Sequence, residues 1–323
     1  MLENKILILA DERVGTYSQA VALAKESGFD YEIIFLEYNF LKIIPNLFFS
    51  QSLIRLKKTS IKKLHSLNYI PKYIISAGRK SAPIAIFLKK NHNFLPKIIQ
   101  IMRPEINFDK FDFVIVPEHD EPKSPYPKNL ILSVGALTKI EENFEQIRHQ
   151  EFLNQLQNLP KPIIALLIGG SSKNTKFSLK SAKELINQAL LIKKNINASL
   201  ILINSRRTDL EINNFIRKIN EKNFIFCDYN EIKNNNPYAL IVNYADFFII
   251  SGDSVSMISE CCSTGKSVYI FDDGKISSKK HQKFHNILVK NNYAKFFDKN
   301  CYEITNFNPL KLEEVKRICN IIF

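Results

Sequence analysis

The chain of 323 residues has no tryptophan, three methionines, five cysteines and nine glycines. So little glycine excludes a collagen-like repeat and low-complexity linkers. The cysteine count is odd and, Cys261-Cys262 apart, the thiols lie far from one another with no CxxC. That removes a disulfide framework and predicts reduced, partly buried thiols. Long apolar runs are missing too. Stretches such as Ile163 to Ile168 fall far short of the roughly 18 residues that span a bilayer. The first residues are broken by Asp11, Glu12 and Arg13, which reads as a first strand rather than a signal peptide and predicts a cytoplasmic protein. There is no Walker A loop and no GxGxxG. RNP aromatics, zinc-finger spacing and a basic heptad region are also absent, so no nucleic-acid partner is expected.

What is present is an average soluble composition, 45% hydrophobic and 24% charged, on a chain long enough for two domains. The 45 Lys and Arg against 32 Asp and Glu leave a charge of +13. That favours anionic partners such as phosphates or acidic lipid. A Lys-, Asn- and Ile-rich chain drifting under AT-rich codon bias would carry the same charge with no partner.

Short Ile- and Val-rich runs followed by turn signals and helical periods recur in both halves, the pattern of parallel β/α units. The first half offers strands at Lys5 to Ala10, Tyr31 to Leu36, Tyr73 to Ser76, Lys97 to Ile101, Phe113 to Val116 and Leu130 to Ser133. A polar helical stretch, Glu141 to Leu159, ends at Pro160 and Pro162. The domains are therefore read as 1–140, a linker helix at 141–160, and 161–323. In the second domain the strands are Ile163 to Ile168, Ser199 to Asn204, Phe224 to Cys227, Phe247 to Ile250 and Val268 to Phe271, with a terminal helix over Leu310 to Ile322. The fold class is α/β, two Rossmann-like halves with parallel sheets.

Ligands of such sheets bind beyond the carboxyl ends of the strands. Gly169-Gly170-Ser171-Ser172-Lys173 follows a strand and would turn bare amides, hydroxyls and one ammonium toward an anion, although an ordinary tight turn has the same sequence. Arg206 and Arg207 end another strand and would clamp a diphosphate, or pair with Asp209 or Glu211. The following Thr208 to Glu211 reads as a capping box. After Ile250, Asp253 or Ser254 caps a short helix that aligns Ser256, Glu260 and Ser263. One carboxylate ringed by hydroxyls suits sugar hydroxyls, and a solvated helix face is the alternative. In the first half, Glu118-His119-Asp120 ends a strand and makes His119 a candidate general base oriented by Asp120, against an ordinary loop histidine. The polar loop around Gly15, before a helix from Ala20 to Lys25, is a candidate contact with acceptor or phosphate. His281 and His285 stand at i, i+4 spacing without the zincin glutamate or a third ligand, so no metal is expected. Leu41 to His65 interleaves apolar residues with basic ones, as a membrane surface or core helices with solvated lysines would require.

Several of these segments, with Ser76 to Pro83, Gln100 to Pro104, Gly135-Ala136-Leu137, Asn236-Pro237-Tyr238 and Thr264-Gly265-Lys266, resemble in order the Elongated Mitochondria family of mitochondrial fission proteins and their bacterial relatives. The resemblance covers nearly the whole chain, and its most specific elements are Pro117 to Asp120 and Asp253 to Met257. It implies a GT-B fold whose C-terminal half is the nucleotide-sugar donor domain. It places the diphosphate at Gly169 to Ser172 and the ribose at Glu260, and likens Gln282 and Asn286 to the polar pair of glycosyltransferases that build lipid-linked peptidoglycan precursors. Glu12 and Thr16 stand where relatives often carry glycine and histidine.

The leading expectation is a metal- and cofactor-independent glycosyltransferase using a UDP- or GDP-type sugar. A non-catalytic adaptor that keeps the fold is the alternative. An epimerase acting on nucleotide sugars is a third reading, for which neither a GxGxxG nor an acid pair is in view.

Overall fold

The computed structural model describes every residue except 1, 12, 47–50, 141–148, 173–174, 233–234 and 299. Among the described residues two six-stranded sheets form, parallel throughout. The first contains β1 (Leu2–Ala10), β2 (Asp30–Phe35), β3 (Ile70–Ala77), β4 (Lys97–Ile101), β5 (Phe113–Pro117) and β6 (Leu130–Ser133), in the order β2-β1-β3-β4-β5-β6. The second contains β7 (Ile163–Leu167), β8 (Ser199–Ile203), β9 (Phe224–Cys227), β10 (Phe247–Ser251), β11 (Ser267–Phe271) and β12 (Lys295–Phe296), in the order β12-β11-β10-β7-β8-β9. Counted from β9, that is the 3-2-1-4-5-6 order of dinucleotide-binding sheets.

All residues of β7, β8 and β11 are buried. Strands covered on both faces by helices need apolar residues at every position, which is why these runs do not alternate. The covering helices are α1 (Val14–Ser27), α2 (Lys58–His65), α3 (Ala82–Asn91), α4 (Gln150–Gln157), α5 (Leu179–Asn195), α6 (Leu210–Ile216), α7 (Tyr229–Ile232), α8 (Tyr238–Tyr244), α9 (Val255–Cys262), α10 (Lys279–Lys290) and α11 (Glu314–Ile322).

The chain divides into one unit of Met1–Thr138 with Glu313–Phe323 and a second of Lys139–Leu312. The last helix thus belongs to the first unit, where the sequence reading had placed all of 161–323 in the second. Val315, Ile318, Cys319 and Ile322 form one buried stripe of α11 and share a core with Ala20, Leu23 and Ala24 of α1. Burying such side chains contributes about 1.5–3 kcal/mol each for the large aliphatic ones. The α11 carboxylate of Glu314 accepts from the Val134 amide at 2.7 Å and from Arg317 at 2.8 Å. Of the expected linker helix, α4 is described and 141–148 lie outside the described residues.

Helix α1 starts six residues earlier than expected, at Val14 rather than Ala20. Its N-cap, Arg13, is extended and makes no side-chain capping bond, so the usual signal is missing. Gly15 therefore sits in the first helical turn, and its carbonyl accepts from Gln19 Nε2 at 2.9 Å. All five cysteines are free.

Candidate functional site

In the second sheet β7 and β10 lie side by side while the strand order runs outward from them in opposite directions. Such a switch point opens a crevice at the carboxyl ends of the two strands. The residues delivered there are Gly169 and Gly170 after β7 and Ser251 to Asp253 at the end of β10.

They bond to one another. The Gly169 amide donates to Ser251 Oγ at 2.8 Å, and Ser251 Oγ donates to Asp253 Oδ1 at 2.6 Å. The Gly170 amide donates to Asp253 Oδ2 at 3.0 Å, and Arg207 Nη2 donates to the same oxygen at 2.8 Å. Arg207 Nη1 reaches the Gly170 carbonyl at 3.2 Å, and Thr208 Oγ1 donates to the Gly169 carbonyl. The Asp253 side chain is 1% exposed. Of the two glycine amides expected to face a bound anion, that of Gly170 thus faces a carboxylate of the chain itself and that of Gly169 faces the Ser251 hydroxyl.

The need for glycine here is steric. A Cβ on Gly169 would lie 2.0 Å from an Asp253 oxygen, one on Gly170 2.0 Å from the Arg207 carbonyl oxygen, and one on Gly252 2.7 Å from His285. At each of these strand ends the backbone packs against a neighbouring segment too closely for a side chain to fit without a shift.

Arg207 pairs with Asp253, 46 residues away, rather than with Asp209 or Glu211. Arg206 is exposed. The expected capping box does not form: Asp209 is the N-cap of α6 and makes no side-chain capping bond, because Thr208 is drawn to Gly169. Ser171 Oγ donates to Asp209 at 3.2 Å and accepts from the Phe177 amide at 3.2 Å. Ser172 is exposed, and its amide donates to the Thr175 carbonyl at 2.9 Å. Lys173 lies outside the described residues.

Ser254 caps α9, accepting from the Met257 amide at 3.4 Å, which frees Asp253 for the network above. Ser256 and Glu260 are half-buried on α9. Ser263 does not join a ring of hydroxyls around the carboxylate, since its Oγ donates back to the Glu260 carbonyl at 2.6 Å. The partner of Glu260 is Tyr238, whose hydroxyl donates to Oε2 at 2.6 Å. Burial pushes the Glu260 carboxyl up to about 7, against the opposing pull of that hydrogen bond. Lys266 supports the arrangement from behind. Its ammonium donates to the Ala245 carbonyl at 2.7 Å and to those of Val242 and Asn243, fixing the C-terminal end of α8, the helix that begins at Tyr238. Tyr238 and Lys266 stood within segments quoted for the family resemblance, yet nothing in their sequence neighbourhood revealed these roles.

On α10, Gln282 is half-buried and Asn286 exposed. His285 is fully buried, its Nδ1 3.1 Å from Asp272 Oδ2, which itself accepts from Ser277. Burial, and then the neighbouring His285, hold the His281 imidazole below its ordinary range. Among the described residues no cluster of three His, Cys, Asp or Glu side chains could hold a metal ion. A cavity of about 450 Å³ adjoins Asp272, lined also by Ser178, Ser181, Asp273 and Phe297.

In the first unit, His119 and Asp120 stand half-buried on a 3-10 turn, Glu118–Asp120, directly after β5. Gly78 follows β3 at φ 79°, and a Cβ there would meet Thr16 at 3.3 Å, so the first turn of α1 packs on this position. Gln100 is fully buried and ties the ends of β3 and β4 together. It accepts from Ser76 at 2.5 Å and donates to the carbonyls of Gly78, Ile101 and Met102. The segment 41–65 includes part of a 3-10 turn, Phe40–Ile43, and α2, with 47–50 outside the described residues. Among the described residues no helix is long and apolar enough to cross a membrane.

Comparison with known proteins gives a consistent picture. The sequence pattern of the family described as Mitochondrial fission ELM1 matches residues 14–323. An uncharacterized protein of Rickettsia prowazekii is 30% identical over 98% of this chain and 97% of its own. The mitochondrial fission protein ELM1 of Arabidopsis thaliana is 27% identical over 62% of this chain, and the match spans about half, 51%, of that protein. Among solved structures, the UDP-GlcNAc 2-epimerase of Methanocaldococcus jannaschii superposes with a TM-score of 0.58 at 13% identity, covering 98% of this chain and 99% of that one. A Medicago truncatula protein complexed with UDP-glucose gives a TM-score of 0.54 at 12% identity, covering 98% and 89%. At such identities the likeness establishes the GT-B-type fold alone.

Proposed function

The chain belongs to the Mitochondrial fission ELM1 family, and from that membership and the site geometry we propose that it binds a nucleotide-diphosphate sugar and transfers the sugar to an envelope or lipid-linked acceptor. The observation that carries this reading is Glu260, a half-buried carboxyl on the helix after the switch-point strand, engaged through one oxygen by Tyr238 at 2.6 Å. A carboxylate so held presents its other oxygen to a ribose hydroxyl.

The diphosphate lies at the capped N-terminus of α9, where Ser254 and Ser256 stand and the helix dipole favours negative charge. Ser171, Ser172, Lys173 and the exposed Arg206 add donors at the neighbouring strand ends. Asp253 and Arg207 keep the Gly169-Gly170 turn in shape. Gln282 and Asn286 approach the sugar from α10. His119, oriented by Asp120, is the base for the acceptor hydroxyl, and Gly15 lies on the acceptor side. Cationic side chains and helix N-termini offset the developing charge on the leaving group. The protein works in the cytoplasm. The UDP-sugar-bound structures of like fold support a nucleotide-sugar ligand without fixing its base.

The second reading, a binding or adaptor protein on the same fold, is favoured by one observation: Asp253 and Ser251 already occupy the Gly170 and Gly169 amides that a diphosphate would use. Thermal denaturation with UDP, GDP, ADP, CMP and their sugar conjugates separates the two. A ligand at a hundred times its dissociation constant adds about 2.7 kcal/mol. Stabilisation by one diphosphate class, lost in Glu260→Ala, is the expected result. No shift with any nucleotide leaves the adaptor reading.

A further inference from the structure

From Tyr38 to Pro104 the chain contains no aspartate or glutamate in 67 residues, yet thirteen lysines and arginines. That excess equals the net charge of the whole protein, +13. The remainder of the chain is therefore balanced, and the positive field belongs to one segment of the first unit.

Within that segment the structure exposes apolar side chains in an unusual place. The 3-10 turn Phe40–Ile43 carries Phe40 at 79% exposure and Ile43 at 81%. Residues three apart eclipse one another in a 3-10 helix, so these two side chains stand on the same side of the turn. Ile54, 50% exposed, is adjacent, because the Asn39 side chain donates to the Ile54 carbonyl at 2.7 Å and the Asn39 amide to the Arg55 carbonyl at 2.8 Å. The Tyr38 and Leu56 bridge in turn brings the start of α2 alongside the turn. Lys42, Lys58, Lys62 and Lys63 are all exposed there, and Lys58 and Lys62 share one face of α2.

The tip is held rigidly. Arg55, 1% exposed, donates from Nη2 to the carbonyls of Ile44 and Pro45 and from Nη1 to the Asn46 side chain. Asn46 is tied onward to the carbonyls of Arg79 at 2.6 Å and Pro104 at 2.7 Å. A buried guanidinium fixes the segment directly after the turn, so the exposure of Phe40 and Ile43 is built into the fold.

We propose that this surface docks on an anionic lipid bilayer, with Phe40 and Ile43 entering the interfacial region and the α2 lysines meeting acidic headgroups. Apolar insertion and basic attraction are each weak alone and suffice together for reversible membrane binding. The inference does not depend on the nucleotide reading, since it involves none of the donor-site residues.

Co-sedimentation of the full chain with vesicles of phosphatidylcholine alone, or mixed three to one with phosphatidylglycerol, tests it. Binding to the mixed vesicles, weakened by salt, is expected. Phe40→Ser with Ile43→Ser should lower that binding at least about tenfold. Lys58→Glu with Lys62→Glu should lower it by at least about twentyfold, roughly fivefold for each lysine. Both pairs are surface changes, and unchanged melting temperatures would verify intact folding. No binding to mixed vesicles, or equal binding to neutral ones, overturns the proposal. So does a loss in the lysine variant with none in the apolar one, which would mark the surface as a site for a polyanion such as nucleic acid.

Discussion

The hydroxyl of Tyr238 lies 2.6 Å from a carboxyl oxygen of Glu260. The pair joins the first residue of α8 to α9 and places an ionisable group that titrates near neutrality beside the switch point of the second sheet. Burial raises the Glu260 carboxyl from 4.5 to about 7, so between these values the folded chain holds a proton that the unfolded chain has released. Stability from this group is therefore present at low pH and lost as pH rises through about 7, by on the order of 3 kcal/mol. Glu260→Gln should flatten the dependence of the melting temperature on pH between 5 and 8 by that amount, while Tyr238→Phe, which removes a bond favouring the charged form, should steepen it. A flat wild-type profile with an unaltered Glu260→Gln profile would show that the carboxyl is not shifted.

The same titration bears on ligand affinity. A ribose hydroxyl donates to a carboxylate and gains less from a neutral acid, so nucleotide affinity should tighten as pH rises from 6 to 8. Isothermal titration across that range should give a slope in the wild type and none in Glu260→Gln. A pH-independent affinity in the wild type would remove Glu260 from the ribose contact.

Asp253 carries the strand-end network, and Asp253→Ala should cost about 2–4 kcal/mol because Arg207 and the Gly170 amide lose their partner. Gly169→Ala and Gly170→Ala should each cost about 1–3 kcal/mol from overpacking. Their coupling to Asp253 must differ. Gly169→Ala collides with the Asp253 side chain and should become far milder in the Asp253→Ala background, whereas Gly170→Ala collides with the Arg207 backbone and should not. Denaturant unfolding of the two double-mutant cycles would read this difference, and equal coupling would contradict the geometry.

If His119 is the base, His119→Ala should lower the rate by about two to four orders of magnitude with donor affinity nearly unchanged. Steady-state kinetics with the donor found by thermal shift would test it. Equal turnover would assign His119 to the loop structure alone.

Much of the fold was legible because parallel strands buried on both faces must be apolar at every position, and β7 and β8 appear in the sequence nearly at their observed limits. β12 escaped notice because it is two exposed residues, Lys295 and Phe296. The start of α1 was hidden by an N-cap without a capping side chain, while Thr208 to Glu211 presented a capping signal that the fold overrode. Glycines at strand ends marked where the chain packs closely, but the neighbours that demand them, Asp253 for Gly169, the Arg207 backbone for Gly170 and His285 for Gly252, are set by the packing and cannot be read from local pattern. Tyr238 and Glu260 are 22 residues apart on different helices, so their pairing too required the packing. The segment Leu310 to Ile322 reads as a terminal helix, but nothing in its sequence says which core α11 enters.

That last placement has a consequence for synthesis. A ribosome releases the first 138 residues early, but the helix that covers α1 emerges only after the whole of the second unit has been made. Until then Ala20, Leu23 and their neighbours have no lid, and the nascent first unit presents a bare apolar strip to the surrounding solvent. The two units thus mature out of order, the later one free to fold while the earlier waits for the final eleven residues to close it.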